Sequence, residues 1–272
     1  MAKLVIEPGS EELQYWRDLW RYRELFGMLA WRDVMVRYKQ TIIGIAWAVL
    51  RPVITMLIFT VVFGQLINLA SDGGAPYPLM VFAAMLPWQL FASAITGASD
   101  SLINEANLVS KVYFPRLLVP SATIVVALID FAIGVVVLMA MMVWYRVSPP
   151  PQIFAVVPLT ILAAMLALGP GLLLCAMNVK YRDLRYALPF VTQLGLYVTP
   201  IGFSSSIVPD RWRLLFECNP MVGIVDGFRW AILDSVEFPA RALAITFGIT
   251  VLMLLVGVRR FRAVEKTLVD VI

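Results

Sequence analysis

The stretch LLVPSATIVVALIDFAIGVVVLMAMMVWY, residues 117–145, decides the fold of this chain. It contains a single charged residue, Asp130, and a helix needs about 20 mostly apolar residues to cross a bilayer. The composition agrees: 61% of the 272 residues are apolar, 15% are charged and the mean hydropathy is +0.83. Soluble domains carry about 45–50% apolar and about 25% charged residues. The sequence therefore predicts an all-α integral membrane protein.

Other stretches of the chain share this apolar character. Together they predict six transmembrane helices, at residues 44–68, 79–99, 117–145, 153–177, 187–203 and 242–258. The fifth is short and is broken by Pro189 and Pro200. We therefore divide the chain into a cytoplasmic N-terminal segment (1–43), a six-span transmembrane domain (44–262) and a cytoplasmic tail (263–272).

The distribution of Lys and Arg predicts the orientation. The N-terminal segment, the loops after the second and fourth spans and the tail hold 16 of the 22 Lys and Arg residues, and the alternate loops hold five. Because cytoplasmic loops carry the excess of positive charge, both termini are expected in the cytoplasm. The charged N-terminus lacks the apolar core of a cleavable signal peptide.

Residue types that carry out chemistry are scarce. The chain has no His and two Cys, which argues against His-based catalysis, His-ligated metal and a disulfide framework. None of its five Lys follows a Gly, so no Walker A loop can cradle nucleotide phosphates. The chain is predicted not to be an enzyme and to hold no metal or cofactor. Any ATP hydrolysis is expected in a separate subunit, and no nucleic-acid partner is expected.

Residues 11–39 have the pattern of an amphipathic helix. One face is apolar at helical spacing and is formed by Tyr22, Leu25, Met28, Leu29 and Val36. Arg32 lies on this side, whereas Arg37 points away from it. Such a helix lies in the membrane interface as an anchor. A second interpretation is that it also forms part of an access gate or a partner surface.

The loop NEANLVSKVYFPR, residues 104–116, mixes charges with apolar side chains. A simple connection would consist of turn residues, so this loop is either a docking surface for another protein or a helix that rests on the bilayer. Loop 204–241 is long and half apolar. Two short helices that dip into the outer leaflet and return would fit it, and would cap a pore.

Two charged residues lie within the predicted spans. Asp130 is tolerated if it is protonated, paired or next to water, and we favour a structural, hydrogen-bonded role over a proton-coupled carrier. Arg51 lies near the cytoplasmic end of the first span. It either extends to the phosphate headgroups or contacts an anionic lipid-linked substrate.

Several short motifs resemble the permease subunits of polysaccharide-exporting ABC transporters, which export O-antigen, capsule or teichoic acid. The resemblance covers residues 20–262 and rests on RDVMVRYK (32–39), Gly44, Trp47, LRP (50–52), LPW (86–88), the loop 104–116, NVKYRDLR (178–185), YVTPI (197–201) and NPM (219–221). It implies a type-2 ABC permease that forms a homodimer above two copies of a separate ATPase, which uses ATP and Mg²⁺. The implied substrate is a lipid-linked polysaccharide, with O-antigen preferred, and the implied location is the inner membrane of a bacterium.

The resemblance also assigns roles to segments. The interface helix would be the amphipathic stretch 11–39, and loop 204–241 would hold a pair of re-entrant helices. Loop 104–116 would contain the coupling helix, with contacts to the ATPase from Asn104, Glu105, Asn107, Leu108, Lys111, Tyr113, Phe114 and Arg116.

Aromatic side chains suit a sliding glycan, because sugar rings have flat C–H faces that stack on them. The first and fifth spans form the channel in the resembled family, which implies a lining of Phe59, Phe63, Phe190 and Tyr197. The alternative for these rings is packing or lipid contact. The interfacial aromatic belt is expected to include Trp88 and Trp144.

Four cytoplasmic cations would attract the pyrophosphate of the lipid carrier: Arg32, Arg37, Lys39 and Arg51. Two other functions stay open from the sequence. One is an ABC exporter permease for a drug or small lipid. The other is a stand-alone membrane enzyme that acts on lipid-linked sugars, against which the lack of His and of clustered carboxylates argues.

Overall fold

The computed structural model describes residues 11–39, 44–69, 71–181 and 183–265, and this part of the chain is helical, with no strand. Its α-helices are α1 (Glu11–Arg21), α2 (Arg23–Lys39), α3 (Gly44–Phe59), α4 (Tyr77–Asn104), α5 (Ala106–Lys111), α6 (Leu118–Trp144), α7 (Val156–Asn178), α8 (Leu184–Val198), α9 (Asp210–Glu217), α10 (Pro220–Leu233) and α11 (Ala240–Glu265). Helix α3 continues as a π-helical segment, Thr60–Leu66. The predicted all-α class is confirmed.

Five helical stretches are long and apolar enough to cross a membrane: Ala46–Leu66, Tyr77–Asn104, Leu118–Trp144, Pro151–Asn178 and Ala240–Glu265. They correspond to the first, second, third, fourth and sixth predicted spans. Helices α4 and α11 run beyond the predicted ends, since charged residues interrupt an apolar window without ending a helix. We name the two ends of the bundle after α4, as the Tyr77 end and the Asn104 end.

The fifth predicted span, 187–203, corresponds to α8, which is too short to cross alone. Its 15 residues extend about 22 Å, whereas the hydrocarbon core is about 30 Å thick. The helix stops at Val198 because a residue before proline is disfavoured in helical geometry, and Thr199 is extended (φ −83°, ψ 142°) ahead of Pro200. Pro189, by contrast, is accommodated inside the helix.

Helix α4 forms the centre of the bundle. Of its most apolar window, 72% is buried, against 17–28% for the other four candidate spans. It packs against α3, α6, α7, α8 and α10. Small residues allow close packing around it: Gly134 of α6 lies under Leu86, and Gly171 of α7 lies against Ala98. Such contacts are the usual means by which membrane helices associate.

The N-terminal segment folds as two helices, α1 and α2, which meet at Tyr22. The buried residues of α2 are Leu29, Ala30 and Val34, and the first two share a core with residues of α4, α5 and α6. Met28 and Val36 are exposed, so the predicted apolar face was partly wrong. The reason is that α2 packs on protein along α6, which turns its buried side away from these two residues.

Helix α10 is almost fully enclosed, with 11 of its 14 residues buried. It packs against α4, α7 and α11. At its start, the Thr246 hydroxyl donates to the carbonyl of Pro220 (2.9 Å), about 9 Å inside α11. At its other end, the Gln152 amide donates to Asp234 (2.6 Å) near the beginning of the fourth span. Helix α10 therefore begins within the bundle and ends at its Tyr77 end.

Candidate functional site

Three of the four predicted channel aromatics lie together between α3 and α8. The ring centroids of Phe59 and Phe63 are 5.3 Å apart, and Tyr197 stacks on Phe59 at 6.3 Å with 12° between the planes. Phe59 is buried, Phe63 is half-buried and Tyr197 is exposed. Phe190 lies two turns earlier on α8 and is also exposed, about 10 Å along the helix from Tyr197. We call Phe59, Phe63 and Tyr197 the aromatic cluster.

The turn segment 199–203, which follows α8, closes over the aromatic cluster at Gly202. A Cβ atom at Gly202 would lie 2.5 Å from the Phe59 ring and 3.4 Å from the Phe63 ring. The Tyr77 hydroxyl, at the start of α4, donates to the carbonyl oxygen of Gly202. Neither Tyr77 nor Gly202 is among the site residues predicted from the sequence, although a glycine two positions after Pro200 is a local signal of close backbone approach.

The side chain of Arg229 on α10 is fully buried and holds the same segment. Its guanidinium donates to the carbonyl oxygens of Phe203 (3.0 Å) and Ile201 (3.1 Å). Asp226, one turn earlier, lies 3.9 Å from the guanidinium and accepts a hydrogen bond from Ser205 (2.8 Å). The carbonyl dipoles and the carboxylate together compensate a buried positive charge. From the sequence, Arg229 is one of the five cations of the alternate loops, because it lies in loop 204–241.

Helix α10 also secures the beginning of this segment. The Asn219 amide donates to the Thr199 hydroxyl (3.2 Å), and its carbonyl oxygen accepts from the backbone of Met221 (3.1 Å). Asn219 is thus the N-cap of α10 and at the same time a link to the end of α8. The segment 199–205 is held from both sides by side chains of α4 and α10.

Trp88 was expected in the interfacial belt, and this prediction was wrong. Its side chain is 6% exposed and lies in the core, where it packs against Gly195 of α8 and Phe91. A large ring on α4 is buried because neighbouring helices enclose α4. Trp144 is 82% exposed at the end of α6, and its place in an aromatic belt stays a prediction.

The predicted coupling residues separate into an exposed and an anchored group. Helix α5 and its flanks expose Asn104, Asn107, Lys111 and Tyr113, the last with 90% of its surface accessible. Phe114 is buried in the core between α2, α4 and α6. The backbone N–H of Arg116 donates to the Glu265 carboxylate (2.8 Å), and its guanidinium donates to the Glu265 carbonyl (2.7 Å). Leu108 is half-buried.

Glu265, at the end of α11, links α1 to the coupling segment, by which we mean residues 104–116. It also accepts a hydrogen bond from the Tyr15 hydroxyl (3.0 Å), and the Arg262 guanidinium lies 4.6 Å from the centre of the Tyr15 ring. Burial, followed by the neighbouring Glu265 charge, raises the pKa of the Tyr15 phenol. The phenol therefore remains a hydrogen-bond donor at physiological pH.

Two of the four predicted pyrophosphate ligands have carboxylate partners within the chain. Arg32 bonds Glu105 and Asp33, and Arg37 lies 2.5 Å from Asp130. Lys39 and Arg51 are exposed, and the Arg51 guanidinium lies 6.0 Å from the Trp47 ring. Arg37 was expected to point away from the apolar side of its helix, which was wrong, since it pairs with the third span.

The same contact explains how Asp130 is accommodated in an apolar span. Besides Arg37, the Tyr38 hydroxyl donates to its carboxylate. Burial, followed by this hydrogen bond, raises the pKa of the Tyr38 phenol, which keeps the donor protonated. A carboxylate that is both paired and hydrogen-bonded is one of the arrangements tolerated in a membrane.

The chain is similar to known proteins along most of its length. Residues 24–233 match the family described as ABC-2 type transporter. The O-antigen export system permease protein RfbA of Myxococcus xanthus is 27% identical over 243 residues, which is 88% of this chain and 91% of the relative. A permease of the same name from Klebsiella pneumoniae is 23% identical over 214 residues, 78% of this chain and 82% of the relative. The polysialic acid transport protein KpsM of Escherichia coli is 23% identical over 245 residues, 87% and 92%.

The family match runs from the beginning of α2 to the end of α10. It includes the coupling segment, the aromatic cluster and the Arg229 anchor, and it takes in well over half of the chain. The chain therefore belongs to the ABC-2 type transporter family.

Proposed function

We propose that this chain is the permease subunit of an ABC transporter that exports a lipid-linked polysaccharide, with O-antigen as the preferred class. It works as a homodimer with two copies of a separate ATPase subunit, which uses ATP and Mg²⁺. The observation that carries the proposal is similarity over most of the chain to permeases named for O-antigen export and polysialic acid transport. The permease itself carries out no covalent chemistry.

Deletion of the gene in its own bacterium tests this function. The expected result is loss of surface polysaccharide, accumulation of the lipid-linked glycan at the inner membrane, and recovery when the gene is returned on a plasmid. Purification of the tagged permease in mild detergent should also recover an ATPase subunit in equal amount. Unchanged surface polysaccharide after deletion would overturn the proposal.

The chain crosses the membrane six times, with α8 and the segment 199–203 together forming the fifth crossing. Arg185 lies 3.7 Å from Asp100, Gly195 packs on Trp88 and Gly202 meets Tyr77. Helix α8 and the segment 199–203 together thus run antiparallel to α4 over about 35 Å, from Asp100 to Tyr77. An even number of crossings agrees with two cytoplasmic termini, which makes the Asn104 end cytoplasmic and the Tyr77 end external.

With this orientation, α9 and α10 are the re-entrant pair at the external side. Support comes from the position of Asn219 and Pro220, which lie inside the bundle, while Asp234 lies at its Tyr77 end. The backbone between α8 and α9 is irregular, and irregular backbone at membrane depth requires enclosure in protein. The hydrogen bonds from Arg229 and Asn219 to this segment meet that requirement.

The glycan passes along the exposed side of the aromatic cluster, where α3 and α8 meet. Tyr197 and Phe190 present exposed rings on one face of α8, and stacking on rings holds a sugar without fixing its register. The buried Phe59 supports Tyr197 from behind. In the homodimer, the same faces of the two copies would enclose the path.

Docking of the ATPase depends on the exposed part of the coupling segment. We expect the double variant Lys111→Ala/Tyr113→Ala to weaken association with the ATPase about 30-fold, since exposed tyrosines are typical anchors of an interface. Binding of purified ATPase to permease in nanodiscs measures this. Tyr145→Ala, a tyrosine beyond the other end of α6, is the control. Equal affinity of the double variant and the control would contradict the docking surface.

A further inference from the structure

Arg32 of α2 is bound to the residue that joins α4 to the coupling helix α5. Its guanidinium donates two parallel hydrogen bonds to the Glu105 carboxylate, at 2.8 and 2.6 Å, and a further one to Asp33 at 2.8 Å. Paired bonds of this kind fix orientation as well as distance. We call Arg32, Asp33 and Glu105 the Arg32 clamp.

The clamp is one of three attachments between α2 and the helices around α5. Leu29 and Ala30 share a core with Val109 of α5 and with Phe114. One turn beyond the clamp, Arg37 and Tyr38 hold Asp130 of α6. Helix α2 is therefore fixed to the coupling helix at one point and to the third span at another.

Helix α2 is followed after four residues by α3, the helix that carries Phe59. Helix α2 also packs against α3, so a displacement of α5 that α2 follows has a route through this contact to the aromatic cluster. The charges of the clamp also limit its other roles. Arg32 already faces two carboxylates, and a pyrophosphate, with several negative charges, would meet repulsion from both.

We propose that Arg32 is a positioning residue that makes α2 and α5 move as one body, so that the push of the ATPase on α5 reaches the first span. The proposal rests on the proposed export function. It gives Arg32 a mechanical role in place of the lipid-pyrophosphate contact predicted from the sequence. The Glu105 carboxylate then acts within the permease, as the acceptor of the clamp.

A charge exchange tests the clamp. Arg32→Glu and Glu105→Arg are made singly and together in the permease with its ATPase, and surface polysaccharide and ATP hydrolysis are both measured. The exchanged pair keeps one arginine beside two carboxylates, because Asp33 is unchanged. Arg23→Glu, the same charge change at the start of α2, is the matched control, and Arg32→Lys tests the need for paired bonds.

Each single exchange is expected to lower export about tenfold while ATP hydrolysis and copurification of the ATPase persist. The double exchange is expected to restore export, and Arg32→Lys to be intermediate. A defect that only destabilised the permease would instead lower its amount and the bound ATPase in parallel.

Two outcomes overturn the proposal: a double exchange as defective as Arg32→Glu, or single exchanges that match Arg23→Glu. The first would mean that Arg32 acts on something other than Glu105, such as a lipid phosphate. Failure of the proposed function would be seen in a separate experiment, because deletion of the gene and its return in unaltered form are compared before any variant is tested. The ratio of export to ATP hydrolysis is interpreted only against that result.

Discussion

Arg229→Met is expected to destabilise the permease by about 3–5 kcal/mol, because removing one partner of a buried ionic group leaves the others uncompensated. Methionine has a similar length but no donors. The carbonyls of Ile201 and Phe203 would lose their hydrogen bonds, and Asp226 would lose the adjacent positive charge. For a chain of this size the change corresponds to a fall in Tm of about 10 °C.

Thermal unfolding of the purified permease in detergent measures this effect. Arg211→Met, on the exposed side of α9, is the control and should leave Tm nearly unchanged. The double variant Arg229→Met/Asp226→Asn should recover part of the loss, because it removes the uncompensated carboxylate and keeps an acceptor for Ser205. Equal Tm values for Arg229→Met and Arg211→Met would refute the anchoring role.

Gly202→Ala is expected to reduce export by more than about tenfold through overpacking, which typically costs about 1–3 kcal/mol. The added methyl group would lie 2.5 Å from the Phe59 ring. That ring is buried and lies between Phe63 and Tyr197, so it has little room to move. Either α3 or the segment 199–203 must shift, and the exposed face of the aromatic cluster shifts with it.

Surface polysaccharide in a deletion strain that carries each variant measures the effect. Gly248→Ala is the matched control, because an added Cβ on this glycine of α11 meets no atom within 4 Å. Phe59→Leu combined with Gly202→Ala should restore export in part, since it vacates the volume that the methyl group needs. Full export by Gly202→Ala alone would argue against a close-packed wall at this position.

The sequence predicts the long helices well and the pairing of polar residues poorly. Residues 117–145 identify a span without any knowledge of neighbours, because only a bilayer stabilises so long an apolar stretch. Even the end of α8 follows from a local rule, the conformational restriction that Pro200 places on Thr199. Hydropathy alone, however, does not reveal that α8 is shorter than a bilayer.

Polar contacts depend on residues that are distant in sequence. Arg32 reaches Glu105, 73 positions away, and Arg229 reaches carbonyls 26 and 28 positions away. A count of cations places both arginines in loops or interfaces and shows neither partner. The prediction for Trp88 was wrong for a related reason, because the motif around this residue does not reveal that neighbouring helices surround α4.

The pairing of Asp130 with α2 has a consequence for how the chain is made. The ribosome synthesises α2 about 90 residues before α6. Arg37 and Tyr38 are therefore available to pair with Asp130 when the third span leaves the translocon. The most costly group of that span can be neutralised as soon as it inserts. Helix α2 then assists the membrane insertion of α6, the third span. Removal of α2 is therefore expected to lower the efficiency with which α6 inserts.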